Sequence, residues 1–523
     1  MRILNIWINL YYESENMKEE LLSEIEPYIK LSKIGIEKES LRHFNSKISQ
    51  RPHPKSLGSS LCNSYITTDF SEAQLEFITP PFYDKRKALN FLSDIHHFFY
   101  SNVDEEMLWP FSMPPYIGKG RIPIAKFGTS SKGLFKHVYR KGLSHRYGRL
   151  MQTISGVHFN YSLPRKFWRS PIFKNLENES LELRSKNYFS ILRNVLRMNW
   201  LILYLFGCSP SITRDFLSGS NDEFIKLDKN TLFSPYGTSI RMSEYGYQNL
   251  SRAKINISSN SLNSYTTDLL KATNERSDSF SKIFDETEDP LCQINTNQLQ
   301  IEDEYYAPAR AKSTDKSDIR FAKKLLNGGV DFIELRSLDL DPYSQIGIRQ
   351  EVITFLEIFM LYAFVKESEP IDKTEEKQIF ENDIKVAKQG RKPKLELVRK
   401  DKNISLIDWA NEILDEMVPI ANFLDKHKEI GHTANIEFMR KRVDDPSLTP
   451  SAMILESLID NGSFIRLGES ISYKNKQRFL ELNTQNQSNW KKLETEKENS
   501  IKKQYTFERD IISFEEYKQL YFS

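Results

Sequence analysis

Hydrophobic and polar residues alternate most clearly in residues 33–42, KIGIEKESLR. In a β-strand, successive side chains point to opposite faces of the sheet. Ile34 and Ile36 therefore share one face, and Glu37 and Glu39 share the other. Taken alone, this pattern favours a half-buried strand with a solvated acidic face. Two carboxylates side by side repel each other unless cations lie between them. The alternative interpretation is therefore that this face is a binding site for cations.

Three more segments alternate in the same way and are predicted to be strands: residues 67–80, 153–163 and 330–342. Each has an apolar face and places polar groups on the opposite one. These groups are Glu76 on the first segment, His158 and Asn160 on the second, and Glu334 and Arg336 on the third. The four strands together predict one sheet with helices behind its apolar face and polar side chains on its other face.

Helical periodicity or composition predicts helices over residues 17–31, 87–100, 185–206, 260–287 and 351–365, and a loop and helix over 126–147 that could meet an anion. Residues 297–304 alternate as a strand would. After residue 370 the composition shifts towards Lys and Glu, and we expect a basic turn at 390–397, two or three helices, and a solvated terminal helix over 490–523. The predicted organisation is a leading segment (1–31), a catalytic sheet with its helices (32–370) and a helical part packed on it (371–523).

The composition narrows the class of protein. The 523 residues include 73 Lys and Arg against 71 Asp and Glu, which argues against a dedicated binder of nucleic acid or of membrane surfaces. Cys62, Cys208 and Cys292 form no CxxC pair, as is usual for a reduced intracellular protein. No apolar run reaches the roughly 20 residues of a spanning helix. Residues 1–12 only faintly imitate a signal peptide, so we expect an extension there and a cytoplasmic protein.

The polar face predicts the chemistry. The chain has no glycine-rich phosphate loop, so metals and arginines would have to hold any bound nucleotide. Converging glutamates favour Mg²⁺, which prefers carboxylate oxygens and substrate phosphates. Arginine holds a transferring phosphoryl group or a carboxylate in a bidentate fork. The pattern therefore indicates a metal-dependent phosphoryl-transfer site, and a binding or structural sheet remains the alternative.

The chain also resembles the proteobacterial class of glutamate–cysteine ligases from about Ile34 to GRKP at 390–393. Six motifs in the same order carry the resemblance: GIEKESLR (35–42), TTDFSEAQLEFITP (67–80), MQTISGVHFNYSLP (151–164), SPYGTSIRMSEYGY (234–247), LQIEDEYYAPARAK (299–312) and GVDFIELRSLDLDPYSQIGI (329–348). Six long motifs are far more specific than one short pattern.

The resemblance implies an α+β fold with a glutamine-synthetase-like curved antiparallel sheet, a half barrel flanked by helices. It implies ATP-dependent joining of the γ-carboxylate of L-glutamate to the amine of L-cysteine through a γ-glutamyl phosphate, the first step of glutathione synthesis. The cofactor would be two or three Mg²⁺, with Mn²⁺ able to substitute, and we expect a monomer. The implied metal ligands are Glu37, Glu39, Asp69, Glu76, His158 and Glu334; the catalytic arginines are Arg140, Arg241 and Arg336; the substrate pocket is Phe70, Tyr139, Leu143, Gln152, Tyr247 and Tyr306.

The residues alone leave two other functions open. A related carboxylate–amine ligase would use another acceptor amine, and a non-catalytic descendant would bind nucleotide or metal without turnover. The chain also departs from the family in two regions. The extension before the first strand is not typical of the family, and the Lys-rich C-terminal third is too diverged to carry over any site residue.

Overall fold

The computed structural model describes residues 19–117, 121–170, 173, 181–217, 223–246, 255–482, 486–509 and 512–523. The strands in these ranges are β1 Lys33–Phe44, β2 Lys47–Ile48, β3 Ile66–Thr68, β4 Gln74–Ile78, β5 Met107–Leu108, β6 Val157–Ser162, β7 Ser211–Thr213, β8 Ile225–Lys226, β9 Thr231–Phe233, β10 Ala309–Lys312, β11 Phe332–Leu338, β12 Glu396–Arg399 and β13 Lys402–Ser405.

The helices are α1 (residues 19–25), α2 Lys85–Asn102, α3 Ser131–Tyr147, α4 Leu181–Phe206, α5 Leu262–Asn274, α6 Asp278–Glu286, α7 Phe321–Gly328, α8 Gln350–Val365, α9 Lys373–Gln389, α10 Leu406–His427, α11 His432–Asp444, α12 Pro450–Asn461, α13 Phe464–Leu480, α14 Gln487–Arg509 and α15 Phe514–Phe522. Within the described ranges, none of them combines the length and the apolar character that crossing a membrane requires.

One antiparallel sheet organises the fold, with the strand order β10–β11–β6–β1–β4–β3 and with β2 and β5 also paired to β1. Its two edge strands differ, so the sheet is open. The predicted α+β class and antiparallel sheet are confirmed. The four segments predicted from alternation all contribute strands to this sheet, because each can bury one face and leave the other polar.

The apolar face of the sheet carries the main core. Ile36, Phe77, Phe159 and Leu335 are fully buried there. Helices α2 and α4 pack against this face, and the almost entirely buried helix α8 packs against both of them. The layer of helices leaves the opposite, polar face of the sheet free to form a cavity.

The segment 67–80 is not the single strand that its alternation predicts. It is a hairpin of β3 and β4, closed by hydrogen bonds from Asp69 N to Gln74 O and from Gln74 N to Ser71 O. The buried Glu72 carboxylate fixes this turn by accepting hydrogen bonds from the backbone N–H groups of His53 and Lys126. Tertiary hydrogen bonds to one side chain thus override the strand periodicity.

The alternating segment 297–304 is also not a strand but a loop that ends in a 3₁₀ turn. Its backbone bonds to the end of α5 through Gln298 N and Leu299 N, and otherwise to side chains, rather than to a neighbouring strand. Glu304 accepts a hydrogen bond from Gln300 N, and the Gln300 side chain accepts one from Ile294 N. The predicted helix 17–31 is helical in its described part only over residues 19–25 and then tightens into the 3₁₀ turn Glu26–Leu31, which contains Pro27.

The C-terminal third differs from the prediction in two ways. The hairpin β12–β13 and four helices, α10 to α13, lie between residues 396 and 480, where two or three helices were expected. The last segment is two helices, α14 and α15, and it is not simply solvated. Trp490 of α14 packs against Phe98 of α2, and the side chains of α15 pack against α3. The division into a leading segment, a catalytic part and a helical part stays a prediction.

Candidate active site

The strand register places the predicted polar side chains in one continuous row. Residues that pair directly on antiparallel strands lie on the same face of the sheet. These pairs connect five adjacent strands: Glu39↔Glu76, Glu37↔His158, Glu334↔Asn160 and Arg310↔Glu334. The row therefore crosses the sheet from β4 through β1, β6 and β11 to β10.

A cavity of about 380 Å³ lies on this face of the sheet. Every predicted site residue that the structure describes lines it: Glu37, Glu39, Asp69, Phe70, Glu76, Tyr139, Arg140, Leu143, Gln152, His158, Arg241, Tyr306, Glu334 and Arg336. The remaining predicted residue, Tyr247, lies outside the described residues. The structure thus brings together side chains that are up to 299 positions apart, Glu37 and Arg336.

Carboxylates surround His158 at the centre of the row. Its Nδ1 lies 3.4 Å from Glu37 Oε2 and 3.6 Å from Glu334 Oε1, and its Nε2 lies 3.7 Å from Glu39 Oε1. Asn160 Nδ2 donates to the other oxygen of Glu37 at 2.8 Å. These contacts fix the carboxylates of neighbouring strands close to one another.

Ligand atoms of Glu37, Glu76 and His158 all lie within 4.8 Å of one another, a spacing that can hold a metal ion. Burial, followed by repulsion from Glu37 and Asp69, raises the pKa of Glu76 well above its usual range. Burial and Asp69 also raise the pKa of Glu39. A divalent cation would offset this repulsion and favour the ionised carboxylates. Oxygen donors with one imidazole suit Mg²⁺ or Mn²⁺, so the residues fit the metal that the sequence predicts.

Two arginines lie beside the acidic row. Arg336 Nη1 is 3.3 Å from Glu334 Oε2 and its guanidinium stacks 5.9 Å from the centre of the Tyr306 ring. Although burial lowers it, the Glu334 carboxylate raises the pKa of Arg336 well above its ordinary value, so the side chain stays charged. Arg241 donates from Nη2 to Arg336 O at 2.9 Å. A Cβ atom at Gly156 would lie 2.1 Å from that same Nη2, so glycine leaves the space that Arg241 fills.

The wall opposite the carboxylates is helix α3. Arg140 and Leu143 are one turn apart on it, and Lys136 precedes Arg140 by four residues, so all three face the cavity. Arg140 donates from Nε to Asp69 O, and its guanidinium lies 4.5 Å from the centre of the Phe127 ring. Burial, followed by the charges of Arg140 and Lys132, lowers the pKa of Lys136 to about 8. This wall therefore adds cations to the cavity.

Several lining residues were not predicted from the sequence: Lys136, Tyr147, Met151, Ile301, Asp303, Glu304, Arg310 and Lys312. Two of them had a signal in the sequence. The segment Ala-Arg-Ala-Lys, which is β10, alternates small and cationic residues, so Arg310 and Lys312 share the face of Glu334. The others lie on a helix or on loops, and only the tertiary structure brings them to the cavity.

The family model described as glutamate–cysteine ligase matches residues 19–386. A glutamate–cysteine ligase of Alcanivorax borkumensis is 40% identical over 501 residues, which cover 93% of this chain and 95% of the relative. One from Pseudomonas putida is 40% identical over 458 residues, covering 86% of this chain and 87% of the relative.

Two solved structures are also similar to this chain. A glutamate–cysteine ligase of Francisella tularensis in complex with AMP has a TM-score of 0.87 and 33% sequence identity, and the match covers 94% of this chain and 97% of that chain. A bifunctional glutathione synthetase of Pasteurella multocida has a TM-score of 0.70 at 24% identity and covers 90% of this chain and 55% of that chain. The second likeness concerns the fold alone.

Proposed function

The chain belongs to the glutamate–cysteine ligase family, a family of ATP-dependent enzymes that form γ-glutamylcysteine, and from this premise we propose how its cavity performs the reaction. L-Glutamate, L-cysteine and ATP would be the substrates and γ-L-glutamyl-L-cysteine, ADP and phosphate the products, in the first step of glutathione synthesis. One observation carries the proposal: the strand register aligns Glu76, Glu39, Glu37 and Glu334 along one cavity, which Arg336 also lines.

The first step would form a γ-glutamyl phosphate. A γ-carboxylate oxygen of glutamate attacks the terminal phosphorus of ATP, and the bond between that phosphorus and the bridging oxygen of ADP breaks. Arg336 and Arg241 stabilise the charge on the equatorial oxygens of the moving phosphoryl group. The contact between Arg241 and the backbone of Arg336 supports this assignment, since it fixes the Arg241 guanidinium against the strand that carries Arg336.

Glu37, Glu39, Asp69, Glu76, His158 and Glu334 would hold two or three Mg²⁺, for which Mn²⁺ could substitute. Bound there, the cations would neutralise negative charge on the ATP phosphates and on the glutamate carboxylate. The protein residues hold the reactants in line between the acidic row and the arginines.

The second step would join the amine. The amine nitrogen of cysteine attacks the acyl carbon of the γ-glutamyl phosphate, the bond from that carbon to the phosphate oxygen breaks, and the nitrogen loses a proton as the amide forms. We assign the acceptor pocket to Phe70, Tyr139, Leu143, Gln152 and Tyr247, and we count Tyr306, whose ring centre lies 5.9 Å from the Arg336 guanidinium, among the substrate-binding residues. Tyr139 and Leu143 of α3 support this assignment because they line the same cavity as the acidic row. Arg140, which contacts Asp69, would hold a substrate carboxylate in a bidentate fork.

We further propose that the enzyme acts as a monomer in the cytoplasm. The cytoplasm supplies ATP and reduced cysteine, and Cys62, Cys208 and Cys292 are all free thiols.

The test is release of ADP by the purified protein with ATP, Mg²⁺ and L-glutamate, measured without amine and with cysteine, 2-aminobutyrate or other amines. Release that depends on cysteine and yields γ-glutamylcysteine would support the proposal. Release that depends on a different amine would instead show a related carboxylate–amine ligase. No release with any amine would show a non-catalytic protein and overturn the proposal.

A further inference from the structure

A second hydrophobic cluster joins the C-terminal helix α15 to the cavity wall. Its buried members are Phe135, Val138, Ile294 and Ile301. Tyr139, which lines the cavity, packs against it, and Ile301 both belongs to the cluster and lines the cavity. Four aromatic side chains of α15, Phe514, Tyr517, Tyr521 and Phe522, cover the cluster from outside; we call them the α15 brace.

Phe135 of α3 is the centre of this contact. Its ring centre lies 4.8 Å from that of Tyr521 and 5.5 Å from that of Tyr517, with Phe514 and Phe522 both at 6.4 Å. Such separations are those of attractive aromatic pairs. Phe135 precedes Tyr139 by one helical turn, so the two share a stripe of α3. The brace therefore packs on the same face of the helix that carries Tyr139.

The brace also reaches the loop that forms the adjoining wall. The Arg320 guanidinium lies 5.2 Å from the centre of the Phe522 ring, and its Nε donates to Glu302 at 2.8 Å. Glu302 directly follows Ile301 and precedes Asp303, both of which line the cavity. One aromatic group thus contacts α3 directly and the 301–304 segment through a buried ion pair.

Polar contacts fix the helix at both ends. Ser131 Oγ donates to Ile512 O at 2.5 Å just before α15, and Lys323 donates to Ser523 O just after it. Between them, Asp318 accepts from Tyr517 OH at 3.1 Å and pairs with Lys132 of α3 at 2.9 Å. These contacts hold α15 in one position over the cluster.

We propose that the α15 brace positions the acceptor wall of the cavity, formed by Tyr139 and Ile301, and so determines how well the acceptor amine binds. This inference rests on the proposed function, which assigns Tyr139 to the cysteine pocket; Ile301 lines the same cavity and belongs to the same cluster. The metal and phosphoryl end of the cavity is carried mainly by strands β1, β4, β6 and β11, and α3 contacts it through Arg140, which donates to Asp69 O. Among the described residues, the brace contacts α3, Asp318 and Arg320 rather than these strands. Loss of the brace should therefore weaken acceptor binding selectively.

The experiment compares full-length Tyr521→Ala with wild type. The variant should raise KM for cysteine roughly tenfold or more and leave KM for ATP within about twofold, because small displacements of a binding wall strongly affect the ligand it orients. Tyr521→Phe, which keeps the ring, should restore the wild-type KM. Leu520→Ala is the matched control, since Leu520 lies on the same helix and is 64% exposed.

Amide hydrogen exchange gives a readout besides activity: Tyr521→Ala should exchange faster in α3 and at wild-type rates in β1 and β6. Equal rises in both KM values, an unchanged KM for cysteine, or unchanged exchange in α3 would overturn the inference. Absence of cysteine-dependent ADP release by the wild type would overturn the proposed function instead. In that case the exchange comparison still decides whether α15 braces α3.

Discussion

Arg336 Nη1 lies 3.3 Å from Glu334 Oε2, the carboxylate two positions earlier on strand β11. Glu334 is buried, and Lys312 Nζ lies 3.6 Å from the same oxygen. Although burial opposes ionisation, the Lys312 and Arg336 cations hold the pKa of Glu334 well below its usual range. The strand thus presents a fixed anion and a fixed guanidinium side by side, one suited to a metal ion and the other to a phosphate.

The first prediction is that Arg336→Lys lowers kcat by about 10²–10³-fold, the typical cost of removing one donor to a developing anion. Lysine keeps the charge but loses the bidentate fork. Thermal unfolding and steady-state kinetics should show a folded but slow enzyme. Arg86→Lys, at a side chain that is 63% exposed, is the control and should behave as wild type. Wild-type turnover in Arg336→Lys would show that Arg336 has another role.

Gly156→Ala should impair turnover more than stability. The new Cβ would lie 2.1 Å from Arg241 Nη2, so the guanidinium must move away from Arg336. We expect kcat to fall roughly tenfold or more, because a displacement of about 1 Å in a catalytic group is costly. Gly328→Ala is the control, since its Cβ would lie 3.4 Å from Ser313 Oγ. The same kcat in both variants would contradict the proposed role of Arg241.

Glu357→Gln should lower the free energy of unfolding at pH 7 by about 3 kcal/mol, because it removes the carboxylate that the Lys85 and Lys428 side chains share, while Lys85 keeps its ion pair with Glu429. Although burial raises it, the Lys428, His432 and Lys85 groups hold the pKa of Glu357 well below its ordinary value of 4.5. A depressed pKa in the folded state stabilises the protein above the unfolded value, and that stability is lost as pH falls.

Urea unfolding checks this prediction: the difference between wild type and Glu357→Gln should be largest near pH 7 and should shrink below pH 4.5. Glu412→Gln, which breaks the exposed pair with Arg399, should cost less than about 1 kcal/mol. A stability difference that stays constant from pH 7 to pH 3 would argue against the ion-pair explanation.

The enzyme should accept 2-aminobutyrate in place of cysteine. A small apolar pocket discriminates similar side chains by only about 1–3 kcal/mol, or roughly 10–200-fold in kcat/KM. We therefore expect kcat/KM for 2-aminobutyrate to be within about 200-fold of that for cysteine. Competition assays with both amines measure this ratio. A much larger ratio would mean that a group in the pocket recognises the thiol directly.

Alternation along the chain predicted the faces of β1, β6 and β11 because the apolar face of each strand packs against helices, which fixes the side chains that lie there. The acidic face is not solvated as expected for β1, since Glu39 and Glu334 are buried in the cavity wall. It also predicted strands where none form, as at 297–304, where the buried Glu304 binds the loop backbone. Side-chain hydrogen bonds between distant segments produce no periodic pattern of hydrophobic and polar residues, so alternation does not reveal them.

The location of the site, like the faces of the strands, was predictable in part from the sequence. The residues on alternating strands and those in the family motifs line the cavity, while their roles stay predictions. Tyr147 had no periodic signal and α15 had no motif, because their contribution depends on contacts with distant parts of the chain. Asp303 lies in a segment whose alternation predicted a strand that does not form.

Isotope transfer tests the central claim most directly. L-Glutamate labelled with ¹⁸O in its γ-carboxylate is incubated with ATP, Mg²⁺ and cysteine, and the label is measured in the products by mass spectrometry. If the reaction passes through a γ-glutamyl phosphate, ADP forms and one ¹⁸O atom appears in the released phosphate for each γ-glutamylcysteine. Label in AMP, or phosphate without label, would contradict the account.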